Sequence, residues 1–274
     1  MNNTAVQIDL SAPTVTVIVS SYNRPRLIRD ALDSIVDQVG VSVEVIVADD
    51  HSNQETQRVL SQYNVRVVQP AGGPPDKAER QQGQRCAVAI NAALPQARGK
   101  YLAFLPDDDF LLPKSLACRA AFLDANDEAW VVYGRLDSCT AIAVAPVARI
   151  HWGTLFLGSP TSHACCHDRK SFFTSEPLVR AANRVDHGMI MVRRMPHLPE
   201  WPEYATGERR LEDDGVCEVE EREFANGEWF DCPDAGWLFR LELQGFGPFF
   251  SVPDFVVVKR YHGFGHRTDP GRRE

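Results

Sequence analysis

Three short apolar runs in the first 106 residues constrain this chain more than any other feature: VTVIV at 15–19, VEVIVA at 43–48 and YLAFLP at 101–106. Each is rich in β-branched or aromatic residues and too short for a helix, which is the signature of a buried strand. Between the first two, a stretch opening at Pro25 carries Leu27, Ile28, Ala31, Leu32, Ile35 and Val36 at helical spacing. Proline suits that start because its missing N–H would have no helical partner there. Residues 54–63 read as a second helix, 65–68 as a strand, and 80–94 as a further helix with Cys86, Ala89, Ile90 and Ala93 on one face. Strand–helix–strand order at these lengths makes parallel βαβ units, so the N-terminal half is α/β. In such sheets ligands sit beyond the carboxyl ends of the strands. Ser20 and Tyr22, then Asp50, then Asp107, Asp108 and Asp109 all fall at such ends.

The last of these ends is the most unusual. Three consecutive carboxylates stand between Leu105-Pro106 and Phe110-Leu111, and charge among apolar neighbours is costly to bury without compensation. A hard divalent cation, Mg²⁺ or Mn²⁺, would compensate it, because such ions take carboxylate oxygens. The other reading is a solvated acidic turn capping a helix that Pro113 opens, over 115–123. The residues alone leave both open. Arg80 and Arg85, near the start of the preceding helix, could neutralise a diphosphate or simply be solvated.

The 274 residues suffice for one large domain or two small ones. A net charge of −8 argues against a general nucleic-acid binder, which carries a basic face. No apolar run reaches the ~20 residues of a membrane span, and the polar residues 1–12 lack the order of a signal peptide. Seven scattered cysteines without CxxC spacing predict reduced thiols and a cytoplasmic location. The HACCH stretch at 163–167 fits a structural zinc poorly, since its cysteines are adjacent. Further strands are expected at 129–133, 188–193 and 255–258, with strand-like pieces at 141–147 and 154–157. Residues 197–226 read as a loop-dominated excursion, and 234–243 as a helix that opens on Asp234 and closes at Gly245.

Taken in order, VTVIVSSYN at 15–23, VEVIVADDHSN at 43–53, the acidic stretch at 100–113 and the closing stretch at 234–262 resemble the family-2 glycosyltransferases of the GT-A fold, in particular those of spore-coat polysaccharide synthesis. The resemblance is close over 14–113 and loose over 185–262. It implies a Rossmann-like, mostly parallel central sheet flanked by helices, with a variable C-terminal acceptor half. Residues 1–113 would then be the nucleotide-sugar-binding half, 114–262 the acceptor-binding and catalytic half of the same domain, and 263–274 a mobile tail.

By the same resemblance Tyr22 stacks on the base of the nucleotide, Asp50 meets the base edge, and Arg80 lines that pocket with Ser20 and Arg85 nearby. Asp107 would face the ribose, Asp108 would ligate Mg²⁺ or Mn²⁺ on the diphosphate, and Asp109 would support it. His262, in the sequence KRYH at 259–262, would approach the metal or diphosphate, and Asp234 would be the general base. Asp231 and the acids at 212–214 are rivals for that last role. The sequence departs from the family in carrying Pro233 where many members have an acid, and in the length of 197–226.

The expected activity is therefore inverting, metal-dependent transfer of a sugar from a nucleoside-diphosphate sugar to an unidentified acceptor hydroxyl. UDP or dTDP is the expected carrier, because a carboxylate at the base edge can accept from a pyrimidine N3–H. A nucleotidyltransferase of similar fold is the alternative, but the turn SSYNR at 20–24 has no glycine with which to cradle phosphates. A nonenzymatic nucleotide-sugar-binding protein is a third reading, and the retained acids tell against it.

Overall fold

The computed structural model describes residues 13–75, 85–139, 187–201, 209–211, 217–219 and 233–260. Its strands are β1 (Val15–Ser21), β2 (Val43–Asp49), β3 (Arg66–Val68), β4 (Tyr101–Pro106), β5 (Phe110–Leu111), β6 (Val131–Cys139), β7 (Ile190–Arg193), β8 (Arg209–Leu211), β9 (Cys217–Val219) and β10 (Phe250–Arg260). Helices are α1 (Leu27–Val36), α2 (Gln54–Leu60), α3 (Arg85–Ala93), α4 (Ser115–Ala125) and α5 (Pro233–Leu243). Eight strands form one sheet in the order β3-β2-β1-β4-β7-β6-β10-β5, while β8 and β9 pair as a separate antiparallel ribbon.

The first four strands run parallel, which explains why their sequences are apolar almost throughout rather than alternating. Every residue of β2 is buried, and so is every residue of β1 but one. Antiparallel β7 follows β4, and β6 then runs parallel to β10. Helix α3 packs on β1 and β2, and α4 on β6 and β10. Fully buried Arg119 ties α4 to the start of β7 by donating to the carbonyls of Ser115, Met189 and Ile190 at 2.9–3.0 Å.

The amino end of the sheet is locked by Glu44. Its carboxylate accepts from Thr16 Oγ1 at 2.7 Å, from the Arg98 N–H at 2.9 Å and from Arg98 Nε at 2.7 Å. Thr16 Oγ1 in turn accepts the Gly99 N–H at 2.8 Å. Gly99 has no alternative here, since a Cβ would lie 2.3 Å from the Thr16 nitrogen.

The structure corrects several expected boundaries. The acidic stretch does not lead directly into the helix at 115. Phe110 and Leu111 are first drawn into β5 by pairing with Val258 and Val257 of β10, burying both side chains. The helix starts at Ser115, as expected, and runs to Ala125, two residues beyond the expected end, behind a left-handed Lys114 (φ 65°) with no side-chain cap. The carboxylates at 107–109 therefore do not cap it. Helix α2 ends at Leu60 instead of 63, and β3 begins at Arg66. The excursion at 197–226 contains the β8–β9 ribbon. Helix α5 begins at Pro233, one residue before Asp234. Its other end is as expected: Gly245 (φ 79°) takes the left-handed conformation, with the Gly245 N–H donating to Glu242 O and the Phe246 N–H to Leu241 O. The strand-like pieces at 141–147 and 154–157, and the cysteine–histidine stretch at 163–167, lie outside the described residues.

Candidate active site at the carboxyl ends of the parallel strands

Strand β1 lies between β2 and β4, so its carboxyl end is where the two acidic segments meet. Its last two carbonyls fix them both. Ser20 O accepts the Asp107 N–H and Ser21 O accepts the Asp50 N–H, each at 3.0 Å. The chain beyond β1 is fastened to the same neighbours. The Tyr22 N–H donates to Asp107 Oδ2 at 3.1 Å, and the Asn23 N–H to Ser52 Oγ at 2.9 Å. Asn23 (φ 52°) and His51 (φ 58°) are both left-handed, turning each loop back over its strand end.

Asp107 and Asp108 converge on one nitrogen. Arg24 Nη1 lies 2.9 Å from Asp107 Oδ1 and 2.6 Å from Asp108 Oδ2. Burial alone would depress the guanidinium, but the two carboxylates outweigh it and raise its pKa. Asp107 does not gain in equal measure. It is buried and shares Arg24 with Asp108, so burial and like-charge repulsion push it up to about 6 despite Arg24 and the Tyr22 N–H. Asp108 is the more open of the pair, with 14% side-chain exposure against 5%. Asp109 is buried, and its N–H turns back to Pro106 O at 3.2 Å.

At the β2 end, buried Asp50 accepts from Arg85 Nη2 at 2.7 Å and from its Nε at 3.2 Å. The structure thus places Arg85 on Asp50, a partner its sequence position did not suggest. Neighbouring Asp49 serves the fold: it accepts from Gln57 Nε2 at 2.7 Å and Gln69 Nε2 at 2.8 Å, and its oxygens face the Ser52 N–H. Ser21 Oγ and His51 Nε2, at these same strand ends, are buried with no hydrogen-bond partner among the described residues.

The base candidate sits on a separate, firmly anchored element. Asp234 lies in the first turn of α5, and its side chain is outside the described residues. Trp237, one turn on, stacks on Trp201 (5.1 Å, 19°), and both rings lie 5.1 Å from Phe104 of β4. Trp237 Nε1 donates to Pro199 O at 2.7 Å, while Asn91 and Trp201 exchange two hydrogen bonds of 2.8 and 2.9 Å. Helix α5 is therefore docked on the strand that carries the acidic trio. Arg80 and His262 lie outside the described residues.

The donor set fits a hard cation. Two carboxylates that already share one positively charged nitrogen are an all-oxygen pair of the kind that Mg²⁺ and Mn²⁺ take. Among the described residues no group of three or more acidic, histidine or cysteine side chains is placed to hold a metal ion. Sequence reasoning missed Arg24. Its available signal was position: it is the first basic residue after the end of β1.

Known proteins resemble this chain in sequence and in fold. The chain is 34% identical over 122 residues to protein CgeD of Bacillus subtilis, covering 44% of this chain and 29% of that protein. It is 30% identical over 128 residues to the putative glycosyltransferase EpsE of the same organism, covering 44% and 42%. The chain thus spans less than half the length of either relative. Among solved structures, residues 1–349 of TarS from S. aureus, in complex with UDP-GlcNAc, superpose with a TM-score of 0.56 at 19% identity, over 92% of this chain and 60% of that one. That likeness is one of fold, the GT-A fold. No helix among the described residues is long and apolar enough to cross a membrane. The model of glycosyl transferase family 2 matches residues 16–157, more than half of the sequence, and the chain belongs to that family.

Proposed function

We propose that this protein is an inverting, metal-dependent glycosyltransferase that moves a sugar from a nucleoside-diphosphate sugar, with UDP or dTDP preferred, to an acceptor hydroxyl. One observation carries the reading: in a family-2 chain, Tyr22, Asp50 with Arg85, and the Asp107–Asp108 pair are gathered at the carboxyl ends of three adjacent parallel strands. Relatives and fold neighbours support it, one of the latter being TarS with UDP-GlcNAc. Buried Ser21 Oγ and His51 Nε2 offer further polar contacts where a nucleotide would lie.

In this reading residues 1–113 bind the donor and 114–262 the acceptor. Tyr22 stacks on the base, Asp50 accepts from its edge, and Arg85 holds the Asp50 carboxylate in place. Asp108, with Asp107 beside it and Asp109 behind, would hold Mg²⁺ or Mn²⁺, which supplies positive charge to the diphosphate when bound. Asp234, carried on the docked helix α5, takes the proton from the attacking hydroxyl at its carboxylate oxygen. Ser20, Arg80 and His262 complete the proposed donor site.

The test is hydrolysis of a panel of nucleotide sugars with Mn²⁺, because slow hydrolysis requires no acceptor. Release of UDP or dTDP from its sugar is expected. Absence of hydrolysis together with absence of UDP binding by calorimetry would overturn the reading, and stronger thermal stabilisation by GDP than by UDP and dTDP would overturn the pyrimidine preference.

A further inference from the structure

We infer that Arg24 is an internal counterion that occupies the acidic pair in the metal-free protein and must leave when the divalent cation arrives. The inference rests on the proposal that Asp107 and Asp108 receive that cation. It begins from geometry. A single nitrogen, Arg24 Nη1, touches one oxygen of each carboxylate, at 2.9 and 2.6 Å. That is the place between two successive aspartates where a chelated ion would sit, although at the shorter oxygen distances of about 2.0–2.1 Å that Mg²⁺ requires. A guanidinium and a divalent cation cannot share the same two oxygens, because each would face a like charge at contact distance in a largely buried corner.

Charge supplies the second reason. Asp107 and Asp109 are 4% and 1% exposed, so carboxylates left without a cation here would face the full penalty of buried charge. Arg24 cancels part of it. It reaches the pair from the loop that joins β1 to α1, a segment already tied to Asp107 through the Tyr22 N–H, and its own side chain is 21% exposed. It can therefore withdraw toward solvent without opening the core. Arg24 acts through the carboxylates and is a positioning residue. It keeps the pair ordered without metal and weakens metal binding by competition, so that the donor's phosphates are needed to complete a tight site.

The experiment is Mn²⁺ binding to the full chain without nucleotide, measured by calorimetry for the wild type, Arg24→Gln, Arg24→Lys and Asp108→Asn. Arg24→Gln is expected to bind Mn²⁺ about 10- to 100-fold more tightly, the worth of removing competing charge-assisted hydrogen bonds. Arg24→Lys should fall between it and the wild type, and Asp108→Asn should lose binding. A structural role alone would lower the melting temperature of Arg24→Gln without tightening Mn²⁺.

Unchanged or weaker Mn²⁺ affinity in Arg24→Gln, with binding lost in Asp108→Asn, overturns the counterion role and leaves the metal site standing. Wild-type Mn²⁺ affinity in Asp108→Asn overturns the metal reading itself, and this inference with it. Should Arg24→Gln not fold, the wild type decides. Mn²⁺ should speed the reaction of Arg24 with phenylglyoxal, read by peptide mass, and an equal rate with and without Mn²⁺ overturns the proposal.

Discussion

Glu44→Gln tests whether the lock at the amino end of the sheet holds β4 as the structure indicates. The Glu44 side chain is 3% exposed, and its two oxygens take bonds from Thr16 Oγ1, the Arg98 N–H and Arg98 Nε, with Arg66 Nη2 at 3.5 Å. Glutamine keeps the size but removes the charge. Whichever way its amide is turned, the NH₂ group faces an N–H of Arg98. Breaking a buried ion pair by removing one partner typically destabilises by about 3–5 kcal/mol. Arg98 and Arg66 are 40% and 42% exposed, so water screens part of their attraction, and roughly 2–3 kcal/mol remains for the charged hydrogen bonds. For a chain of this size that corresponds to a fall in Tm of about 4–12 °C.

The same carboxylate gives the effect a pH signature. Burial alone would raise its pKa, but the Thr16 and Arg98 hydrogen bonds and the Arg98 charge outweigh it and hold it below the usual value. A depressed acid stabilises the fold above the pKa of the unfolded chain, about 4.3 for Glu. That stability is lost as pH falls through the folded value. The gap between wild type and Glu44→Gln in urea denaturation should therefore be full at pH 7 and shrink below pH 4. No gap at pH 7, or one of equal size at pH 7 and at pH 3, would refute the reasoning.

Other perturbations address the site and its approach. Asp108→Asn should abolish the Mn²⁺-dependent tightening of UDP binding in calorimetry, and full metal-dependent affinity in that variant would remove the acidic pair from metal binding. Asp234→Asn should leave UDP and Mn²⁺ binding intact while cutting sugar transfer by roughly 10²–10⁴-fold; transfer at the wild-type rate would move suspicion to Asp213 or Asp214. Gly99→Ala must push its new methyl group against the Thr16 backbone nitrogen, 2.3 Å away. It should lower stability by about 1–3 kcal/mol, and an unshifted Tm in thermal denaturation would contradict the close approach.

The parts of the fold that were legible in the sequence are those set by local pattern. Residues 17–19 and 45–48 are apolar at consecutive positions because both faces of their strands are covered, and a run of that kind needs no knowledge of partners. Helix α1 showed in its spacing for the same reason. Boundaries failed where a distant segment decides them. Phe110 and Leu111 look like the approach to the helix at 115, yet β10, about 150 residues later, recruits them as a strand. The candidate site shows the same division. Tyr22, Asp50 and the acids at 107–109 could be placed because they end recognisable strands. Arg24 on Asp107 and Asp108, and Arg85 on Asp50, could not, because such pairs exist only once strands far apart in sequence lie side by side.

The lock and the candidate site are joined by register. Strand β4 pairs with β1 without a break from Val15 opposite Tyr101 to Ser20 opposite Pro106. Gly99 and Arg98 are fixed at one end by Thr16 and Glu44, and Asp107 at the other by Ser20 O and the Tyr22 N–H. A slip of one residue would turn every side chain of β4 to the opposite face. It would withdraw Phe104 from Trp201 and Trp237, and so loosen the helix that carries Asp234. It would also carry Asp107 and Asp108 away from Arg24. Residues at the far end of the sheet therefore help to place both the acidic pair and the helix that carries Asp234, and Glu44→Gln should slow sugar transfer as well as weaken the fold, an unchanged transfer rate speaking against the coupling.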